Sequence, residues 1–419
     1  MLFALLVPVL LARLFWRDRR TSGQAHRWRE RLGFYARPPT TTQSIWIHAV
    51  SVGETMAAVP LVHALLKRFP GTGVLVTTTT TTGADAVARL FGDRVQHAYF
   101  PYDLPQVLAR FLAHFRPRVL VVMETELWPN TFAACRQRGV PIVVANARLS
   151  ARSAGGYRRL AALSRDTVRG IDHIAAQSTE DAARFAALGA DAQRITVTGS
   201  LKFDIELPAS VHERAAAVRR DLGINRPLLI AASTRDGEEL LVLDAFVAIE
   251  RQLPLTLLLL VPRHPERFDA VARLCVSRGL RCVRRSHSTV CAAEDQIYLL
   301  DSMGELPHHY AAADVAFVGG SLLAFGGHNV LEPAALGTPV LVGPHTFNFA
   351  EVVRLLREAG GLQVVDDAAQ LAKAALSWLC DSGERDRVGS SAREFVHQQR
   401  GATHRTVGVI GDVLARRRA

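Results

Sequence analysis

From Ser44 onward the chain alternates short apolar runs with longer stretches in which apolar residues return every three or four positions. The runs in the first half are "SIWIHAV", "GVLVTTT", "RVLVVME", "PIVVANA", "HIAAQS" and "ITVTGS". Between them lie helical patterns such as "ETMAAVPLVHALLKRF", "GADAVARLF" and "NTFAACRQRG". Strands that alternate with helices form parallel sheets joined by right-handed crossovers, so the pattern predicts a doubly wound α/β sheet. It pauses at "GSLKFDIELPASVHE" and restarts with "PLLIAAST", "LTLLLLVPR", "LRCVR", "IYLLDS", "DVAFVGG", "PVLVGP" and "GLQVV", which places a linker near 201–212 and a second Rossmann-like domain after it. The tail from Glu384 has apolar residues at helical spacing and arginines on the other face, so it either closes the second domain or packs back across the first. No internal repeat is visible.

Size and charge agree with this division. A chain of 419 residues, 49% hydrophobic, is long enough for two cores. The net charge of +11 favours anionic partners without choosing among phosphates, nucleic acid and lipid headgroups. Five cysteines without a C-x-x-C pair point to a reducing compartment. The spacing of Cys282, His287 and Cys291 matches no ligand pattern, and no metal is expected. The first twelve residues carry no charge, fewer than the roughly 20 needed to span a bilayer, and no small-residue cleavage site follows. With seven arginines from Arg13 to Arg31, the segment reads as a retained anchor with a basic flank on the cytoplasmic side, or else as a buried amphipathic helix.

Ligands of doubly wound sheets bind beyond the carboxyl ends of the strands, which is where the unusual polar groups fall. "FVGGSLLAFGGHNVLEP" offers paired glycines before a helix, a plausible phosphate cradle through Gly326 and Gly327. Glu332 either closes an N-x-x-E capping box with Asn329 or accepts from ribose hydroxyls. "LLLLVPRHPERF" runs into Pro262 and Arg263, a permanent cation suited to an anionic ligand. "DSMGEL" ends a strand with Met303, Gly304 and Glu305, and "AASTRDGEE" offers Ser233 as a helix cap or a second phosphate contact. In the first half, Glu54 of "VSVGE" either favours a helix start or acts as a general base. Glu124 and Glu126 flank Thr125 after a buried strand, and such carboxylates cost solvation unless partnered or used. "NARLS" adds Asn146 and Arg148, and "TGSLKFD" adds Lys202. Thr77–Gly83 reads as a strand end and helix cap without chemistry, and His308 and His309 as surface residues.

Taken together, "WIHAVSVGE", "ETELWPN", "NARLS", "TGSLKFD", "PRHPERF", "DSMGEL", "FVGGS", "GGHNVLEPA" and "VLVGPHTFNF" closely resemble the bacterial 3-deoxy-D-manno-octulosonic acid (Kdo) transferases of lipopolysaccharide synthesis, over almost the whole chain. The resemblance implies the GT-B arrangement: two Rossmann-like domains facing each other across a cleft, with a membrane anchor at 1–20, an acceptor domain at 21–205 and a donor domain at 206–419. It implies metal-independent transfer of Kdo from CMP-Kdo to a tetra-acylated lipid A precursor at the cytoplasmic face of the inner membrane, without a cofactor and without nucleic acid as a partner. Carried over by position, Glu54 is the general base, and Glu124 and Lys202 stabilise the transition state. CMP contacts fall on Pro262, Arg263, Met303, Gly304, Glu305, Asn329, Val330, Leu331 and Glu332. The nearest rival is another two-domain nucleotide-sugar enzyme, such as a UDP-GlcNAc epimerase; a binding protein that has lost its chemistry is the other.

Overall fold

The structure, a computed structural model, describes residues 25–416 except 37 and 42. The expected anchor at 1–20 lies outside the described residues, and among these no helix is long and apolar enough to cross a membrane. The chain forms two compact units, one running to Asp204 and resuming at Arg400, the other spanning Ile205–Gln399.

The first unit is built on seven parallel strands: β1 (Ile45–His48), β2 (Val74–Thr78), β3 (Gln96–Tyr99), β4 (Val119–Met123), β5 (Ile142–Ala147), β6 (His173–Ala176) and β7 (Ile195–Val197), in the order β3-β2-β1-β4-β5-β6-β7. Every residue of β1, β2, β4 and β5 is buried, as expected for strands covered by helices on both faces. Alternation decides which face each side chain serves. Ile45, Ile47, Val119 and Val121 pack with Leu61 and Leu65 and with Ile410 and Val413 of the last helix, while Trp46, Leu120 and Val122 pack with Phe111, Phe115 and Phe132.

The second unit repeats the plan with β8 (Leu228–Thr234), β9 (Leu257–Pro262), β10 (Cys282–Arg284), β11 (Ile297–Leu299), β12 (Val315–Val318), β13 (Val340–Val342) and β14 (Leu362–Val364), in the order β10-β11-β9-β8-β12-β13-β14. All pairings are parallel. Leu258, Leu260 and Phe317 face one helical layer through Phe246 and Trp378, and Leu257, Leu259 and Ala316 face the other through Tyr310.

The supposed linker begins inside the first unit, because Leu201 and Phe203 of a short 3-10 turn are buried there. Of the two places open to the tail, the final helix, Ala402–Ala415, takes the first unit, and the Asp204 carboxylate accepts from the N–H groups of Gly401 and Thr403 at its start. Two expectations need correction. His308 and His309 are buried rather than on the surface, because they fall on the inward side of the helix Leu306–Ala312; the His309 ring stacks on Tyr298, and its Nδ1 lies 2.9 Å from the Glu305 carbonyl oxygen. The basic flank is also smaller than its arginine count suggests. Arg31 is buried over the Tyr99 ring and donates to the Thr79 carbonyl, and Arg27 pairs with Glu30.

Candidate functional site

Each sheet has one point where the chain turns from building outward on one side to building on the other, and doubly wound sheets bind their ligands there. In the first unit it lies between β1 and β4, in the second between β8 and β12. The segments leaving these strands carry the chemistry.

After β1, Ser51 caps the helix Val52–Ala57 by accepting from the Glu54 N–H at 3.4 Å. The Glu54 carboxylate returns the contact, its Oε2 accepting from the Val50 N–H at 2.8 Å and its Oε1 from the Ser51 hydroxyl. The capping role is therefore real, and it fixes the carboxyl at the sheet edge. Burial pushes its pKa up to about 7; the Val50 N–H opposes that, and the Glu124 and Glu126 carboxylates add to it. Glu126 is raised as well, by burial and by Glu124. Three carboxyl groups thus crowd the switch point, and at least one is ready to take a proton near neutrality.

The backbone there is strained. Glu124 (φ 58°) and Asn146 (φ 53°) sit in the left-handed region at the ends of β4 and β5, a conformation costing about 1–3 kcal/mol that collects at functional sites. The fully buried Asn146 accepts at Oδ1 from the Leu201 N–H at 3.0 Å and so ties the turn carrying Lys202 to the end of β5.

In the second unit Ser233 (φ 58°) is a third such residue, at a register shift between β8 and β9. A bulge of this kind re-aims the residues that follow it. The loop after β12 is organised by Glu238, which the sequence reading did not single out. Fully buried, its carboxylate accepts from the N–H groups of Gly320 (2.6 Å), Leu322 (2.9 Å), Ser321 (3.0 Å) and Arg235 (3.2 Å), joining both sides of the switch point. Gly319 has no room for a side chain, since a Cβ would lie 2.7 Å from Glu238 Oε2 and 2.8 Å from Thr234 Cα. In the first glycine pair the Gly320 amide is thus consumed by an internal anion and that of Gly319 by the Ala232 carbonyl. In the second pair, Gly326 (φ 96°) lies against Phe347 and Asn348, and the Gly327 N–H donates to the Gly320 carbonyl.

Pro262 closes β9, buried, and Arg263 follows it, exposed. Asn329 and Glu332 touch, but not as a capping box: the helix Leu331–Leu336 starts only after Val330, Asn329 Oδ1 accepts from the Leu331 N–H, and Asn329 Nδ2 donates to Glu332 Oε1 at 3.0 Å. Glu332 is raised by burial, against Asn329 and the nearby Arg263 charge. The Val330 and Leu331 side chains are buried, and the Leu331 N–H is already held by Asn329. Met303 is exposed and Gly304 left-handed, while Glu305 turns to Arg285 at 2.9 Å. The structure also adds Arg235, His264 and His328. Burial lowers the pKa of His328 to about 4, assisted by Arg263, Arg235 and His264, so the ring is neutral, and its Nε2 is buried without a partner. Arg235 was within reach of sequence reasoning, since it directly follows a strand; Glu238 was not, because three of its four partners lie more than 80 residues away. Among the described residues no three His, Cys, Asp or Glu side chains group as a metal site.

Two switch-point sites on separate parallel sheets define the class, a GT-B-like α/β glycosyltransferase. Residues 285–395 match the family described as glycosyl transferases group 1. Solved structures with this fold include a UDP-GlcNAc 2-epimerase from Neisseria meningitidis (TM-score 0.55, 14% identity, covering 88% of this chain and 100% of that one) and a glycosyltransferase from Rickettsia africae (TM-score 0.55, 14% identity, covering 89% and 99%). The particular family is set by sequence. Residues 26–205 match the 3-deoxy-D-manno-octulosonic-acid transferase (kdotransferase) family. The 3-deoxy-D-manno-octulosonic acid transferase of Haemophilus influenzae is 42% identical, over 92% of this chain and 91% of its own length, and that of Bordetella pertussis is 41% identical over 98% and 97%. The chain belongs to the 3-deoxy-D-manno-octulosonic acid transferase family.

Proposed function

We propose that the protein transfers Kdo from CMP-Kdo to a tetra-acylated lipid A precursor in lipopolysaccharide synthesis, with inversion at the anomeric carbon and Glu54 as general base. The observation that carries this reading is the Glu54 carboxyl, fixed at the first switch point with its pKa raised to about 7. A base of that strength is half ionised near neutral pH and strong enough to take a proton from a sugar hydroxyl as that oxygen attacks. The hydroxyl oxygen bonds to the anomeric carbon, the proton passes to Glu54, and CMP leaves on the opposite face with the electrons of the broken C–O bond, the geometry of inverting glycosyl chemistry. Glu124 and Lys202 stabilise the oxocarbenium-like transition state. In the second unit Arg263 meets the phosphate, Glu332 and Asn329 the ribose, and Met303, Gly304 and Glu305 the base or its sugar. Glycine amides contribute less than the sequence suggests, because Glu238 and Gly320 already hold those of Gly320–Leu322 and Gly327. Arg235 and Arg263, which pair with no carboxylate among the described residues, support charge neutralisation without a divalent ion. The apolar N-terminal segment holds the enzyme at the cytoplasmic face of the inner membrane, within reach of its lipid acceptor.

The test is direct. Purified protein incubated with CMP-Kdo and tetra-acylated lipid A precursor is expected to give a Kdo-extended lipid by mass spectrometry, and CMP, not UDP, is expected to raise the melting temperature. An unmodified lipid, or protection by UDP alone, contradicts the reading.

A further inference from the structure

The donor's sugar is an ulosonic acid: its carboxylate carbon is bonded to the same anomeric carbon that carries the phosphate oxygen. Such a donor presents two anions side by side, and a site that discriminates it from a neutral nucleotide sugar needs two cations set side by side. The second unit has that arrangement. The Arg263 N–H donates to the Thr234 carbonyl at 3.0 Å, which brings 234–235 and 263–264 together on neighbouring strands. The bulge at Ser233 re-aims the chain just before Arg235, whose N–H is anchored on Glu238. Its guanidinium lies over the half-exposed Phe325 ring, 4.7 Å from the centroid, and donates to His264 Nε2 at 2.5 Å. Among the described residues no carboxylate pairs with the Arg235 or Arg263 guanidinium, so both stand as cations without an ion-pair partner at the strand ends. Both charges also bear on the His328 ring, so they stand near it.

We propose that Arg235 reads the carboxylate of the donor sugar, leaving Arg263 beside it for the phosphate; the assignment rests on the CMP-Kdo reading above. A guanidinium held over Phe325 offers the planar fork that matches a carboxylate, and a hydrogen-bonded charge pair of this type accounts for roughly 10- to 100-fold in affinity. CMP itself lacks the carboxylate, so it should not sense Arg235.

The experiment compares full-length wild type, Arg235→Gln, Arg235→Lys and Arg263→Gln, each checked by its melting temperature. It measures kcat/KM for CMP-Kdo and the inhibition constant of CMP. Arg235→Gln is expected to lose about 30-fold or more in kcat/KM, mainly through KM, while CMP inhibition stays within about twofold. Arg235→Lys should recover part of that loss, and Arg263→Gln should weaken CMP. If CMP inhibition weakens in Arg235→Gln as much as kcat/KM falls, or if neither changes, Arg235 does not read the carboxylate. A wild type that CMP fails to inhibit overturns the donor reading itself.

Discussion

At the scale of single residues, the site is a set of groups held away from their ordinary chemistry. Glu54 is raised to about 7 by burial, with Glu124 and Glu126 adding to it. A base works only when ionised, so kcat/KM is expected to fall about tenfold per pH unit below 7 and to level off above it. The same shift has a stability sign. The folded state prefers Glu54 protonated, so its contribution is fully present below the unfolded value near 4.5 and is lost as pH rises through about 7. Glu54→Gln should therefore stabilise the protein at pH 8 by on the order of 3 kcal/mol and by much less at pH 4.5, read from denaturant titrations at the two pH values. Glu124, Asn146 and Ser233, all left-handed at strand ends, fit the same picture of a site held in place against local preference.

At the scale of elements, the loop after β12 depends on a carboxylate from the helix after β8. Glu238→Gln turns one acceptor oxygen into a donor facing amide N–H groups, and is expected to cost on the order of 3 kcal/mol in chemical denaturation. Gly319→Ala should cost roughly 1–3 kcal/mol by overpacking against Glu238 and Thr234. Apolar runs announce buried parallel strands plainly, and thirteen of the strands were legible that way. β3 was not, because Gln96 and His97 sit half-buried at the sheet edge, where a strand needs no continuous apolar face. The strand-end rule led to Glu54, Glu124 and Arg263 for the same reason: each directly follows an obvious strand or its turn. Glu238 and His328 act through partners remote in sequence, and local pattern carries no trace of such pairings. The histidine pair 308–309 shows the converse error, polarity taken for exposure where a ring can stack and bond inside.

At the scale of the whole molecule, two sheets of one architecture carry unlike sites, three crowded carboxyl groups at one switch point and Arg235 and Arg263 at the other. The chain passes from one unit to the other at Asp204–Ile205 and returns at Gln399–Arg400. Asp204 joins both passages on the first unit's side by capping the final helix, which buries Val407, Ile410, Val413 and Leu414 in that unit's core. Asp204→Ala should cost about 1–2 kcal/mol and loosen the last helix before the rest, visible as faster amide exchange over 402–415. The account as a whole turns on Glu54. The most direct measurement is Kdo transfer by Glu54→Gln beside CMP affinity in the same preparation: transfer should fall by at least about a hundredfold with CMP binding unchanged, and a variant that still transfers Kdo at the wild-type rate would contradict it.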